Sequence, residues 1–210
     1  MGRLIAIGDI HGRLSKLTGL IEQIAPTRDD RLVFLGDYID RGAESFECVE
    51  LLIRMQKELP HTIMLRGNHE DFIVSLFMGN LSPYQRDVWL KMNGGEMTMA
   101  SYRNSGCYLK EHQAFYEKLP LKWETDEYFF CHAGVRPGIP LEGQKPSDLL
   151  GIREPFLSSN ENFGKVVVHG HSIVKTPDIR QNRVNIDTGA GGYGPLTAIE
   201  LPSCRIWQQL

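Results

Sequence analysis

Leu4-Ile5-Ala6-Ile7-Gly8-Asp9-Ile10-His11-Gly12 sets a pattern that the next sixty residues repeat. Four apolar residues make a short strand, Gly8 to Gly12 make a polar turn, and Leu14, Leu17, Leu20, Ile21 and Ile24 then recur at helical spacing until Pro26. The unit returns as Leu32-Val33-Phe34-Leu35, a loop from Gly36 to Gly42, and a helix carried by Phe46, Val49, Leu52, Ile53 and Met55 that ends near Pro60. A third copy starts at Thr62-Ile63-Met64-Leu65, breaks at Gly67-Asn68-His69-Glu70 and leads into an apolar helix from Phe72 to Met78. Successive strand–loop–helix units predict an α/β layered fold whose neighbouring strands lie parallel and are joined by right-handed crossovers.

After Gly79 the pattern changes. Residues 80–125 mix polar and aromatic side chains without β-branched runs, which predicts a helical insert or lid, and core packing is the expected role of Trp89 and Trp123. Strands return at Tyr128 to Cys131, Lys165 to Val168, Arg183 to Ile186 and Leu196 to Ile199. The late strands follow one another without clear helices, so a second, antiparallel sheet is expected. The Gly-, Pro- and Ser-rich segment 134–162 is longer than an ordinary connection and is expected to be functional or mobile. Residues 1–210 read as a single domain.

Composition bounds the function. With 210 residues, 41% hydrophobic and 23% charged, the chain can bury a sizeable core. A net charge of −3 offers no global field for DNA or an anionic membrane, so any anion must be captured locally. No apolar run approaches the roughly 20 residues that span a bilayer. The N-terminus meets Asp9 before a signal-peptide core could form, so a cytoplasmic location is expected. Cys48, Cys107, Cys131 and Cys204 lack CxxC spacing and read as reduced, mostly buried thiols.

Ligands of open α/β sheets gather beyond the carboxyl ends of the strands. There the sequence places Asp9 and His11, Asp37, Asp40 and Arg41, Arg66, Asn68 and His69, His132, then His169 and His171. Singly, each has an ordinary reading: a loop hydrogen bond for Asp-x-His, a helix cap for Asn68-His69-Glu70, a satisfied core histidine for His132. Jointly, five strand ends carrying ligand-capable residues in a chain of seven histidines point to a metal site, leaving His61 and His112 to surface or packing. The Asp/His/Asn set suits Mn, Fe or Zn and excludes a thiolate site, because the side chain of Cys131 should point away from that of His132. Asp9 and Asp37 on adjacent strands would repel unless cations lie between them, and two ions about 3.5–4 Å apart can clamp a phosphoryl oxygen for in-line displacement. Arg41 and Arg66 offer forked donors to phosphate.

The ordered motifs Gly8-Asp9-Ile10-His11-Gly12, Gly36-Asp37-Tyr38-Ile39-Asp40-Arg41-Gly42, Arg66-Gly67-Asn68-His69-Glu70, His132-Ala133-Gly134 and Gly170-His171 resemble those of the calcineurin-like metallophosphoesterases. The full Gly-Asp-Tyr-x-Asp-Arg-Gly form is similar to the phosphoprotein phosphatase branch, in particular its small bacterial serine/threonine phosphatases. The resemblance implies a four-layered α/β/β/α sandwich and two divalent ions, commonly Mn²⁺ in bacterial members. It implies that Asp9 and His11 hold the first metal, that Asp37 bridges, and that Asn68, His132 and His171 hold the second. It further implies His69 as general acid, oriented by Asp40, and Arg41 on the phosphate, with Arg153 as candidate second arginine; Arg66 and Asn68 also face the substrate. Where the wider superfamily often has Gly-His-x-His, Gly170-His171 is followed by Ser172 and Ile173, and the Gly-His pair favours His171 over His169 as ligand.

On this basis the expected activity is removal of phosphate from phosphoserine or phosphothreonine proteins by a metal-bridging hydroxide. The alternative is a symmetric diadenosine tetraphosphatase or related nucleotide phosphohydrolase acting on a dinucleotide polyphosphate. A scaffold on an inactive fold is disfavoured, because every liganding position, the acid and its Asp partner are filled.

Overall fold

A computed structural model describes residues 2–210. Strands β1 (Leu4–Ile7), β2 (Arg31–Phe34) and β3 (Ile63–Met64) pair in parallel, separated by helices α1 (Leu14–Ile24) and α2 (Ser45–Glu58). Helix α3 (Asn68–Phe77) follows β3. Thus all three repeating units fold as their periodicity predicts. The insert contributes α4 (Pro83–Met92), α5 (Gly95–Ser105), a 3-10 turn at Leu109–His112 and α6 (Gln113–Lys118). Its last residues behave differently from the expectation. Lys122–Glu124 form β4, an edge strand paired antiparallel with β5 (Tyr128–Cys131), too short for alternation to mark it in the sequence.

The second sheet corrects another expectation. Its order is β4-β5-β6-β8-β7, with β6 at Val166–His169, β7 at Asp178–Ile179 and β8 at Arg183–Asn185. Strands β5, β6 and β8 are parallel, and only the edges β4 and β7 run antiparallel. Residues 134–165 cross over through a 3-10 turn and α7 (Pro146–Gly151), and residues 170–182 are long enough to make a second parallel crossover without a helix. Strands β9 (Leu196–Leu201) and β10 (Ile206–Gln209) leave this sheet and extend the first one antiparallel, giving β10-β9-β1-β2-β3.

Three apolar layers separate four structural ones. Ile5, Ile7, Leu32 and Phe34 face helices α1 and α2, while Ala6, Val33, Phe130, Val168 and Ile186 fill the space between the sheets. Phe129, Cys131 and Val167 turn outward onto Val135, Leu149 and Phe156. The alternation of inward and outward residues along each strand therefore builds an α/β/β/α sandwich, whose second outer layer is thin. Cys131 points away from His132 as expected; Cys204 is exposed, and all four thiols are free. Among the described residues no helix is long and apolar enough to cross a membrane.

Candidate active site

Both sheets end their parallel strands on one edge, and loop residues meet there across the sandwich. Asp9 and His11 follow β1, Asp37 to Arg41 follow β2, and Asn68 and His69 open α3. His132 follows β5, and His171 follows β6. Two cross-sheet hydrogen bonds close the edge: His132 Nδ1 with the Leu35 carbonyl at 2.9 Å, and the His171 amide donating to Asp9 Oδ2 at 3.1 Å. His11, Asp37, Asp40, Arg41 and His171 all adopt positive φ between 53° and 70°. Such backbone persists in non-glycine residues where the surroundings hold it, and five of the seven instances in the described residues fall in these loops.

The imidazoles are set by their second nitrogens. His11 Nδ1 donates to the Ile39 carbonyl and His132 Nδ1 to the Leu35 carbonyl, each at 2.9 Å, which leaves both Nε2 atoms as bare lone pairs. Burial pushes His11 down to about 3 and lowers His132 as well, so both are neutral. Asp37 Oδ2 lies 3.6 Å from His11 Nε2 and 3.4 Å from His132 Nε2. Asn68 Oδ1 lies 2.9 Å from His132 Nε2 and 2.9 Å from His171 Nδ1.

Oxygen and nitrogen lone pairs thus converge with no proton to separate the bare Nε2 atoms from their oxygen neighbours. Divalent cations bound between these atoms resolve such an arrangement. His11-Asp37-His69 and Asp37-His132-His171 each bring their donor atoms within 4.8 Å of one another, so Asp37 is common to both groups. Asp9 lies outside these two compact groups, but its buried Oδ1 has no hydrogen-bond partner. Burial, with Asp187 and Asp37 nearby, raises its carboxyl well above the usual range. These donors fit divalent ions. His169 does not join them: it is buried edge-on to Phe156, with Nδ1 on the Gly170 carbonyl.

His69 stands apart chemically. Its Nδ1 meets Asp40 Oδ2 at 2.6 Å, and its Nε2 lies 3.7 Å from Asp37 Oδ2 and 3.3 Å from the guanidinium of the exposed Arg41. Burial lowers its pKa, yet Asp37 and Asp40 outweigh burial and raise it above the ordinary histidine value. Arg153 reaches the rim, with Nη2 3.5 Å from the His171 carbonyl. Arg66 does not: its guanidinium is held by Asp71 at 3.2 Å and by the Glu117 carbonyl at 3.2 Å, so the forked donor expected for phosphate is engaged in fastening α3 to α6.

The family model for calcineurin-like phosphoesterases matches residues 2–194. The chain belongs to the calcineurin-like phosphoesterases. An asymmetrical bis(5'-nucleosyl)-tetraphosphatase, PrpE, of Bacillus thuringiensis is 29% identical to this phosphoesterase, over 93% of the chain and 89% of the relative. PrpE of Bacillus anthracis matches to the same extent. Among solved structures, one assigned as a diadenosine tetraphosphatase superposes with a TM-score of 0.77 at 20% identity, covering 99% of this chain and 92% of that one. A Saccharomyces cerevisiae serine/threonine phosphatase superposes at 0.64 with 17% identity, covering 99% and 79%.

Four residues of this phosphoesterase's site escaped the sequence reading. Glu70, read as a helix-start carboxylate, accepts the amides of Gly67, Asp37 and Tyr38. Asp187 follows β8 and is buried beside Asp9, its carboxyl pushed up to about 6 by burial; the strand-end rule that found the others would have found it too. Trp89 and Thr98 of the insert both bond to Asp40. No periodicity indicates that contact.

Proposed function

We propose that this phosphoesterase is a divalent-metal-dependent hydrolase of dinucleoside polyphosphates. The observation that carries the reading is Asp37 shared between His11 on one side and His132 and His171 on the other, which suits two ions, with His69 of the first group held by Asp40 as the proton donor beside them. When bound, such ions supply a nucleophilic water and positive charge for the phosphoryl oxygens. Asp9, His11 and Asp37 would hold one ion, and Asp37, Asn68, His132 and His171 the other; Mn²⁺ suits these nitrogen and oxygen donors. His69 donates a proton from Nε2 to the leaving oxygen, while Asp40 holds Nδ1–H. Arg41 and Arg153, both exposed at the rim, bind the non-reacting phosphoryl oxygens.

The nucleotide reading replaces the phosphoprotein reading as the first choice. It is supported by PrpE relatives that match almost the whole chain, and by a cleft of about 370 Å³ beside Asn68 and His171. Phe72 offers that cleft an aromatic face, and Gln85 and Asn93 offer amides to a base edge.

The test compares kcat/KM on diadenosine tetraphosphate and on a phosphothreonine peptide, with Mn²⁺. The dinucleotide is expected to be the better substrate by more than about tenfold, cleaved to a mono- and a triphosphate as the relatives' name indicates. A peptide rate that exceeds the dinucleotide rate would overturn the choice.

A further inference from the structure

Asp40 is completely buried, yet both of its carboxylate oxygens are held by side chains from outside the sandwich. Trp89 Nε1 of α4 donates to Oδ2 at 2.9 Å, the same oxygen that meets His69 Nδ1. Thr98 Oγ1 of α5 donates to Oδ1 at 2.5 Å and accepts the Asp40 amide at 2.9 Å. We propose that Trp89 and Thr98 are positioning residues for the proton donor, fixing His69 through Asp40, so that the helical insert supports the reaction from behind.

The geometry leaves the carboxylate little freedom. An indole N–H can only donate, so Oδ2 accepts from Trp89 and from His69 together. Thr98 closes a ring onto both the amide and Oδ1 of one residue, and rotation of the Asp40 carboxylate would break at least one of these buried bonds. A histidine whose Nδ1 partner cannot swing keeps its Nε2 aimed at one point, as proton transfer in a fixed geometry requires.

The junction between α4 and α5 is shaped for this contact. A Cβ at Gly95 would lie 2.6 Å from the Trp89 ring, and one at Gly94 would lie 2.5 Å from the Arg41 amide nitrogen. Gly94 has φ of +88°, and its carbonyl accepts the Arg41 amide at 3.3 Å. The same turn therefore lets the indole lie flat against α5 and braces the residue after Asp40. A tryptophan that only filled space would not need its one polar atom aimed at the partner of the proton donor.

The inference rests on the proposed role of His69, and its experiment separates the two. Trp89→Phe keeps an aromatic ring but removes the N–H together with part of the buried indole; Thr98→Val keeps the shape and removes the hydroxyl; Thr98→Ser keeps the hydroxyl. In Mn²⁺-loaded enzyme, kcat is measured on 4-nitrophenyl phosphate, whose leaving group needs little protonation, and on phenyl phosphate, whose leaving group needs more. Trp89→Phe and Thr98→Val are expected to lower kcat on phenyl phosphate about tenfold and on 4-nitrophenyl phosphate less than about twofold, with Thr98→Ser near the parent.

A second readout needs no turnover: in the metal-free protein, the downfield proton resonance of the His69–Asp40 hydrogen bond, assigned by its loss in Asp40→Asn, is expected to move in both variants. If Trp89→Phe does not fold, Thr98→Val carries the test. An unmoved resonance, or equal losses on the two esters where His69→Ala itself falls further on phenyl phosphate, overturns the positioning role. If His69→Ala itself loses equally on both esters while the resonance moves in Trp89→Phe and Thr98→Val, proton donation by His69 is refuted and the positioning stands.

Discussion

Glu70 and Asp37 are joined through the backbone: the Asp37 amide donates to Glu70 Oε2 at 2.8 Å, and the next amide, Tyr38, donates to Oε1 at 2.8 Å. Glu70 thereby ties the start of α3, which carries Asn68 and His69, to the loop that carries the residue shared by both donor groups. Gly67 completes the joint, since a Cβ there would lie 2.1 Å from Asp37 Oδ1.

Replacing Glu70 by Gln leaves one oxygen where two are needed and turns an NH₂ group toward a buried amide. Glu70→Gln is expected to destabilise the protein by about 2 kcal/mol and to weaken Mn²⁺ binding, because Asp37 loses its anchor. Denaturant unfolding and metal titration check this; unchanged metal affinity would detach Glu70 from the site.

The pH dependence of the metal-free protein follows from opposed shifts. Burial and its acidic neighbours raise Asp9, and burial sets Asp187 at about 6. The folded state holds these protons longer than the unfolded chain, so stability falls as pH rises from the ordinary carboxyl range through the folded values. Burial pushes His11 and His171 down to about 3, so the unfolded chain takes up protons first, and stability also falls as pH drops below the ordinary histidine value. Melting temperatures in chelator are expected to peak near about pH 6. With Mn²⁺ the peak should move upward, because ligands bind deprotonated. A chelator curve still rising at pH 8 would contradict this balance.

Arg41 is exposed beside His69, whereas Arg66 is fastened to Asp71 and Glu117. Arg41→Ala removes an exposed donor beside His69 Nε2 and is expected to lower kcat/KM about 100-fold with little change in melting temperature. Arg66→Ala breaks the Asp71 and Glu117 contacts, and is expected to cost about 1 kcal/mol of stability while kcat/KM stays within about threefold. Kinetics and unfolding of the two variants, measured in parallel, distinguish these roles; a large catalytic loss in Arg66→Ala would return it to the substrate.

What was legible in the sequence was local. Asp9, Asp37, Asn68, His132 and His171 each follow a short apolar strand, and all but His132 sit directly next to glycine, so position along the chain already places them on one edge. The parallel course of β5, β6 and β8 was not legible, because residues 170–182 cross over without a helical period to announce it. The bond from Trp89 to Asp40 spans 49 residues, and that from Thr98 spans 58. Both depend on how α4 and α5 dock, and an apolar period says only that Trp89 is buried, not where its N–H points. Arg66 shows the converse: a guanidinium in the right loop was captured by Asp71, five residues away on α3.

Gly170 gives the most direct test of Asp9 as a ligand. A Cβ on Gly170 would lie 2.1 Å from Asp9 Oδ1, the buried oxygen without a hydrogen-bond partner. The backbone there cannot retreat easily, because the Gly170 amide donates to the His132 carbonyl at 2.8 Å and the His171 amide holds Asp9 Oδ2. Asp9 must therefore swing away from its place beside His11 and Asp37. Gly170→Ala is expected to bind one Mn²⁺ per chain tightly instead of two, and to lose kcat by about 100-fold. Gly151→Ala, where an added Cβ meets nothing within 4 Å, serves as the control and should keep both ions. Metal analysis after dialysis decides: two tightly held ions in Gly170→Ala would place Asp9 outside the ligand set, and the first ion would then have to rest on His11 and Asp37 with His69, at the expense of His69 as proton donor.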